Sequence, residues 1–194
     1  MSLTKFNPRT TVLLLIIIVT AGLRLMINYS SQFNPLATFT PIAAMALFGG
    51  AYFTGAVKPF AFPLLALFIS DVVLSYSVLA PYRSGMLYSG WYWVYGAFAL
   101  MSITGKYMLK DLNLKNGMAA LLTVTLIHWI VSDFGVWLQG ALYPLTGTGY
   151  VECLVAAIPY ELRFVAGTAI YGVVMFGSFE WMQLRYPQLK RIKN

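Results

Sequence analysis

Charge is scarce in this 194-residue sequence, and cysteine and histidine are each represented once. Only 10% of residues are Asp, Glu, Lys or Arg, against about 25% in a typical soluble domain. The hydrophobic share is 59% and the mean hydropathy +0.72. Such a chain has too few polar groups to cover a globular surface in water. That excludes a soluble enzyme, a nucleic-acid module and a disordered chain. The single cysteine excludes a disulfide framework and any multi-cysteine metal site. Also missing are a Gly-rich nucleotide loop ending in Lys-Ser/Thr, a His-Glu-x-x-His helix and a Gly-x-Ser-x-Gly elbow. Nothing calls for a cofactor or a nucleic-acid partner, and the composition is that of an integral membrane protein.

A helix needs about 20 apolar residues to cross the roughly 30 Å hydrocarbon layer. Six stretches qualify, over about 10–27, 37–57, 60–79, 91–109, 117–143 and 156–184. The first is read as a retained span, because Arg24-Leu-Met-Ile follows its apolar core where a small-residue cleavage site would lie. Turn signals separate the stretches: Asn34-Pro35, Lys58-Pro59, Ala80-Pro81, Asn116-Gly117 and the run from Pro144 to Gly149. The expected fold class is all-α, one bundle of six transmembrane helices. The net charge of +7 is distributed unevenly. Lys5, Arg9, Lys58, Lys106, Lys110, Lys115, Arg185, Lys190, Arg191 and Lys193 fall on one side of such a topology, and Arg24, Arg83 and Arg163 do not. Basic residues stay cytoplasmic, which predicts that both termini face the cytoplasm of a bacterial inner membrane. Attraction to anionic lipid accounts for the rest of the basicity.

Ionisable residues inside the spans cost about 2.5–3.5 kcal/mol each near the bilayer centre, so each calls for a partner or a function. At 1.5 Å per residue, Arg24 lies about 20 Å, Asp71 about 17 Å and Asp133 about 24 Å from the cytoplasmic ends of their spans. Arg163 lies about 10 Å in from the outer face. The four are thus expected to converge in the outer half as a balanced network, to which the cytoplasmic half has no counterpart. Trp129, Asp133 and Trp137 follow at i, i+4 and i+8, one stripe of an α-helix, so that two indole N–H groups would flank a carboxylate. The loop from Tyr82 to Trp93 adds Arg83, Tyr88 and Trp91 as ligand contacts or as an interfacial aromatic belt.

Each of these groups also has a structural reading. Arg24 can snorkel, the aspartates can serve as scaffold pairs, and Glu161 after Pro159 suits the first turn of a helix. His128 and Asp133 lie about 140° apart around an α-helix, which favours a packing histidine over a dyad. Cys153 falls in the expected outer loop. Ala43, Ala46, Gly49, Gly50 and Thr54 form a small-residue face, for packing within the bundle or for docking another subunit.

The segment from Asn34 to Phe53, with its Phe39-Thr-Pro-Ile-Ala-Ala-Met-Ala run, Ser70-Asp71 and Pro159-Tyr-Glu-Leu-Arg163, resembles a family of small six-span bacterial membrane proteins similar to S components of energy-coupling-factor vitamin transporters. The resemblance implies an outward-half pocket for a vitamin-like small molecule, a corrinoid among the substrates, and an energising transmembrane subunit with its ATPases as partner. It implies no covalent chemistry. Solitary cobalamin binders of that kind ligate cobalt through a cysteine near the third loop, where this sequence has Ser84. The alanine motif that docks the scaffold belongs to their first span, and its nearest equivalent here is in the second. The residues expected to bind substrate are Arg24, Asp71, Arg83, Tyr88, Trp91, Trp129, Asp133, Trp137 and Arg163. Two rival readings stand beside this one: an intramembrane enzyme acting on a lipid-like substrate through Asp71 or Asp133, and a structural membrane subunit.

Overall fold

The computed structural model describes residues 7–30 and 39–190. The Asn34-Pro35 turn, the first residues of the 34–53 motif, and Lys5, Arg191 and Lys193 lie outside them. The chain is all-helical apart from a two-stranded ribbon, Arg83–Ser84 against Leu87–Tyr88. Seven helices follow one another: α1 Pro8–Ser30, α2 Ile42–Tyr52, α3 Lys58–Ser75, α4 Trp91–Met108, α5 Leu114–Ile127, α6 Asp133–Leu138 and α7 Gly147–Arg185. A π turn over His128–Ser132 joins α5 to α6. Four rods are long and apolar enough to cross a membrane: α1, α3, α5 through α6, and α7.

Local chemistry explains the helix starts. Asn7 Oδ1 accepts the backbone N–H of Arg9 at 3.1 Å, and Pro8 opens α1 where its missing N–H costs nothing. Asn113 and Thr146 cap α5 and α7 through the N–H groups of Asn116 and Gly149. Because Thr146 caps there, α7 begins nine residues before the expected sixth span and runs for 39 residues. That places Cys153 on a helix and buries it, correcting its assignment to a loop. It also puts Pro159 and Glu161 well inside α7, which corrects the reading of Glu161 as a first-turn cap.

The second expected span needs the largest correction. Helix covers only 11 residues of 37–57, about 16 Å, far short of the hydrocarbon thickness. Ala43 through Gly50 are all buried. A helix apolar on every side belongs inside a structure, and α2 is wrapped by α3, α4 and α7. Its glycines permit the close approach. A Cβ on Gly50 would run into the carbonyl of Ser102, and one on Gly105 of α4 into that of Leu47. Ala43, Ala46, Gly49 and Gly50 of the small-residue face are therefore consumed within the bundle, while Thr54 lies past the end of α2 and is exposed. Phe48, Phe98, Phe164 and Phe179 fill the surrounding core.

Chain direction alternates along the bundle. One open depression of about 1080 Å³ is lined by Arg9 at the start of α1, Tyr52 at the end of α2, Lys110 and Asp111 after α4, and Glu180 and Gln183 near the end of α7. The late residues of α1, α3 and α5 gather at the opposite end with the first half of α7.

Candidate functional site

At that opposite end, Arg24 of α1 donates through Nη2 to Asp71 Oδ1 of α3 at 2.6 Å and through Nη1 to Ser70 Oγ. Asp71 is completely buried and Arg24 is 8% exposed. The other carboxylate oxygen, Oδ2, accepts from Tyr95 at 3.1 Å and from Tyr88 at 3.3 Å. The ribbon carries Tyr88 over Asp71. Its two-residue loop has Gly85 at φ +80°, a conformation that glycine adopts without strain. Burial, and then the neighbouring Asp71 carboxylate, push the Tyr88 hydroxyl above its ordinary range. Trp91 stands edge-on to Tyr95, with ring centroids 5.2 Å apart, and steadies it. Arg24 and Asp71 thus form a buried pair in which both carboxylate oxygens accept hydrogen bonds.

A second cluster lies on α5, α6 and α7. His128 Nδ1 and Glu161 Oε1 are 2.6 Å apart, the length of a charge-assisted hydrogen bond. The imidazole stacks on Phe164 with centroids 4.0 Å apart. Asp133 opens α6 directly after the π turn that begins with His128. The expected separation of about 140° between them assumed an α-helix throughout, and a π turn, with its i→i+5 repeat, stands there instead. Glu161 Oε2 and Asp133 Oδ2 are buried without hydrogen-bond partners.

Between the two clusters lies a recess of about 160 Å³, lined by Arg24, Asn28, Thr40, Ile42, His128, Tyr160 and Phe164. Thr40 Oγ1 is buried there without a partner. The recess mixes cationic, amide, hydroxyl and imidazole groups with two apolar walls, the usual composition of a small-molecule site.

The remaining expected site residues are placed elsewhere. Trp129 Nε1 donates to the Leu154 carbonyl and Trp137 Nε1 to that of Pro144, both at 2.9 Å, so these indoles tie α5 and α6 to the α7 region and its lead-in. Arg83 is exposed and lies over the Tyr76 ring at 4.4 Å. Arg163 is half-buried over the Tyr160 ring at 5.7 Å and forms no ion pair among the described residues. The expected four-charge network therefore does not form: Arg24 and Asp71 meet, while Asp133 and Arg163 make no ion pair among the described residues. The other end does have a polar set of its own. Tyr52 donates to Glu180 at 2.5 Å, Gln183 donates to Glu180 at 2.9 Å, and Arg9 donates to Gln183 at 3.3 Å. Sequence reasoning missed the His128–Glu161 pair because Glu161 was read as a first-turn cap after Pro159 and His128 as a packing histidine, and the only signal, two ionisable residues 33 apart within apolar stretches, does not show that they meet.

Residues 4–189 match the model of a family of unknown function, DUF6580, and the chain belongs to that family. No curated protein and no solved structure matches it.

Proposed function

We propose that this chain is a multi-pass inner-membrane protein that binds a small polar molecule in the recess between Arg24 and His128 and serves its uptake, in the manner of a transporter S component. On this reading five rods, α1, α3, α4, α5 through α6 and α7, cross the bilayer, the short α2 runs between them as an inner element that returns the chain, and the termini lie in the cytoplasm. The reading is supported by the alternating chain direction and by the basic residues at the depression end, Arg9, Lys110 and Lys190. The Arg24–Asp71 pair acts as scaffold on one wall. Asn28, Thr40, His128 and Tyr160 then make the ligand contacts.

The observation that carries the reading is the recess itself: a polar-lined space with an unpartnered hydroxyl at the level of buried charges. At about 160 Å³ it is smaller than the roughly 300–1,000 Å³ of a drug-sized ligand pocket. It therefore favours a compact substrate over a corrinoid. An energising membrane subunit remains the proposed partner, and no covalent step is assigned.

The test is binding to purified full-length protein in lipid nanodiscs across a panel of vitamins, small carboxylates, amines and amino acids. One compound is expected to bind saturably, and Asn28→Leu, which fills the recess, should weaken it at least about tenfold, near 1.4 kcal/mol. No saturable binding, or binding indifferent to Asn28→Leu in a folded variant, would overturn the reading.

A further inference from the structure

The histidine–carboxylate cluster goes beyond substrate contact. His128 is the chain's only histidine, and beside it lie two carboxylates, each with one buried oxygen that accepts no hydrogen bond. A buried carboxylate oxygen without a donor carries its full desolvation cost, and inside a membrane no bulk water relieves it. No guanidinium relieves it either. Arg24 is paired with Asp71, and Arg163 makes no ion pair among the described residues. With imidazolium the set carries a net charge of −1, and with neutral imidazole −2.

We propose that His128, Glu161 and Asp133 form an intramembrane proton-binding site. One proton taken from solvent by way of the recess raises the charge of the set by one unit and gives an unpartnered oxygen a hydrogen. His128 lines the recess, and its Nε2 makes no hydrogen bond among the described residues, so the imidazole stands between the space and the two carboxylates. A π turn, a feature frequent at functional sites, runs from His128 to the residue before Asp133. Chains of buried Asp, Glu and His are the side chains that carry protons through membranes.

Few charged or titratable groups surround the set. From α7 it is faced by Cys153, whose thiol donates to the Asp133 carbonyl at 3.6 Å, by Tyr150, whose hydroxyl is tied to the Ile130 carbonyl, and by Tyr160 and Arg163. From α1 it is faced by Arg24 across the recess. From α4, which packs on the π turn, no charged residue precedes Lys106, and the Tyr95 hydroxyl is held by Asp71. The role of this site in transport rests on the uptake reading, whereas proton binding does not.

The experiment uses full-length protein in nanodiscs with no added solute, histidine labelled with carbon-13, and the proton as probe. Infrared difference spectra from about pH 8 to about pH 5 follow the imidazole and the carboxylic-acid carbonyl together, the interval in which histidine normally changes charge. In the wild type the two signals are expected to change over the same pH interval. In Glu161→Gln the carboxyl signal should fall by about half, and the imidazole change should no longer coincide with the remainder. Asp133→Asn should also reduce the carboxyl signal. Separate pH intervals in the wild type, or variant spectra that superimpose on it, would overturn the proposal. If neither variant folds, the wild-type coincidence alone decides, because the labelled imidazole is unique. A coupled transition in a protein that binds nothing in the solute panel would sink the uptake reading and leave the proton site standing. Saturable solute binding without the transition would do the reverse.

Discussion

Asp71→Asn removes the charge that holds Arg24 while keeping the shape of the side chain. Asp71 is fully buried, Arg24 is 8% exposed, and the carboxylate accepts from Arg24, Tyr88 and Tyr95. Stranding one partner of a buried ion pair costs about 3–5 kcal/mol. A tyrosine hydroxyl donating to a charged acceptor contributes about 1.5–3 kcal/mol. Tyr95→Phe should therefore cost less than Asp71→Asn, and Tyr88→Phe no more than Tyr95→Phe, since its bond is the longer, 3.3 against 3.1 Å. For a chain of this length, 3–5 kcal/mol corresponds to a fall in Tm of about 6–20 °C. Reversible unfolding in mixed micelles, followed by tryptophan fluorescence, gives the free energies directly. The decisive comparison is the Arg24→Gln/Asp71→Asn double variant, which should be clearly more stable than the sum of the single losses, because neither charge is then stranded. Additive losses, or an Arg24→Gln cost no larger than the roughly 0.6 kcal/mol average for polar contacts in membrane bundles, would refute the reasoning.

Gly50→Ala should cost about 1–3 kcal/mol in the same assay, because the new methyl meets the Ser102 carbonyl. Gly96→Ala, with open space around it, should gain up to about 1 kcal/mol from helix propensity. Equal effects at the two sites would contradict the close approach of α2 and α4. The raised Tyr88 hydroxyl makes a pH prediction: the folded chain keeps that proton when the unfolded chain has lost it. Stability should accordingly hold below about pH 10 and decline above it, and Tyr88→Phe should flatten the decline in alkaline unfolding titrations.

The order of the helices was legible in the hydropathy, since each of the six apolar stretches contains one rod or part of one. What hydropathy does not carry is the identity of the apolar neighbour. Ala43 through Gly50 are as apolar as a lipid-facing span, yet they are packed against protein, and the helix stops at Tyr52. Arg24 and Asp71 were legible because buried charge is too costly to leave unpaired. The His128–Glu161 pair was not, because Glu161 was placed at a helix start, whereas α7 begins at Gly147 and carries it well inside. Pro159 misled for a similar reason. It suits the first turn of a helix, yet a long apolar helix also accommodates it in its interior.

At 39 residues α7 is about 58 Å long, more than the roughly 40–45 Å thickness of a membrane with its headgroups. It must lean or protrude. The same rod carries Glu161 and, about 28 Å further along, Glu180, bonded to Tyr52 and Gln183. No proline interrupts the stretch between them. One uninterrupted helix therefore carries both the carboxylate that grips the imidazole and the one bonded to Tyr52 and Gln183, so the two ends of the bundle share one mechanical part.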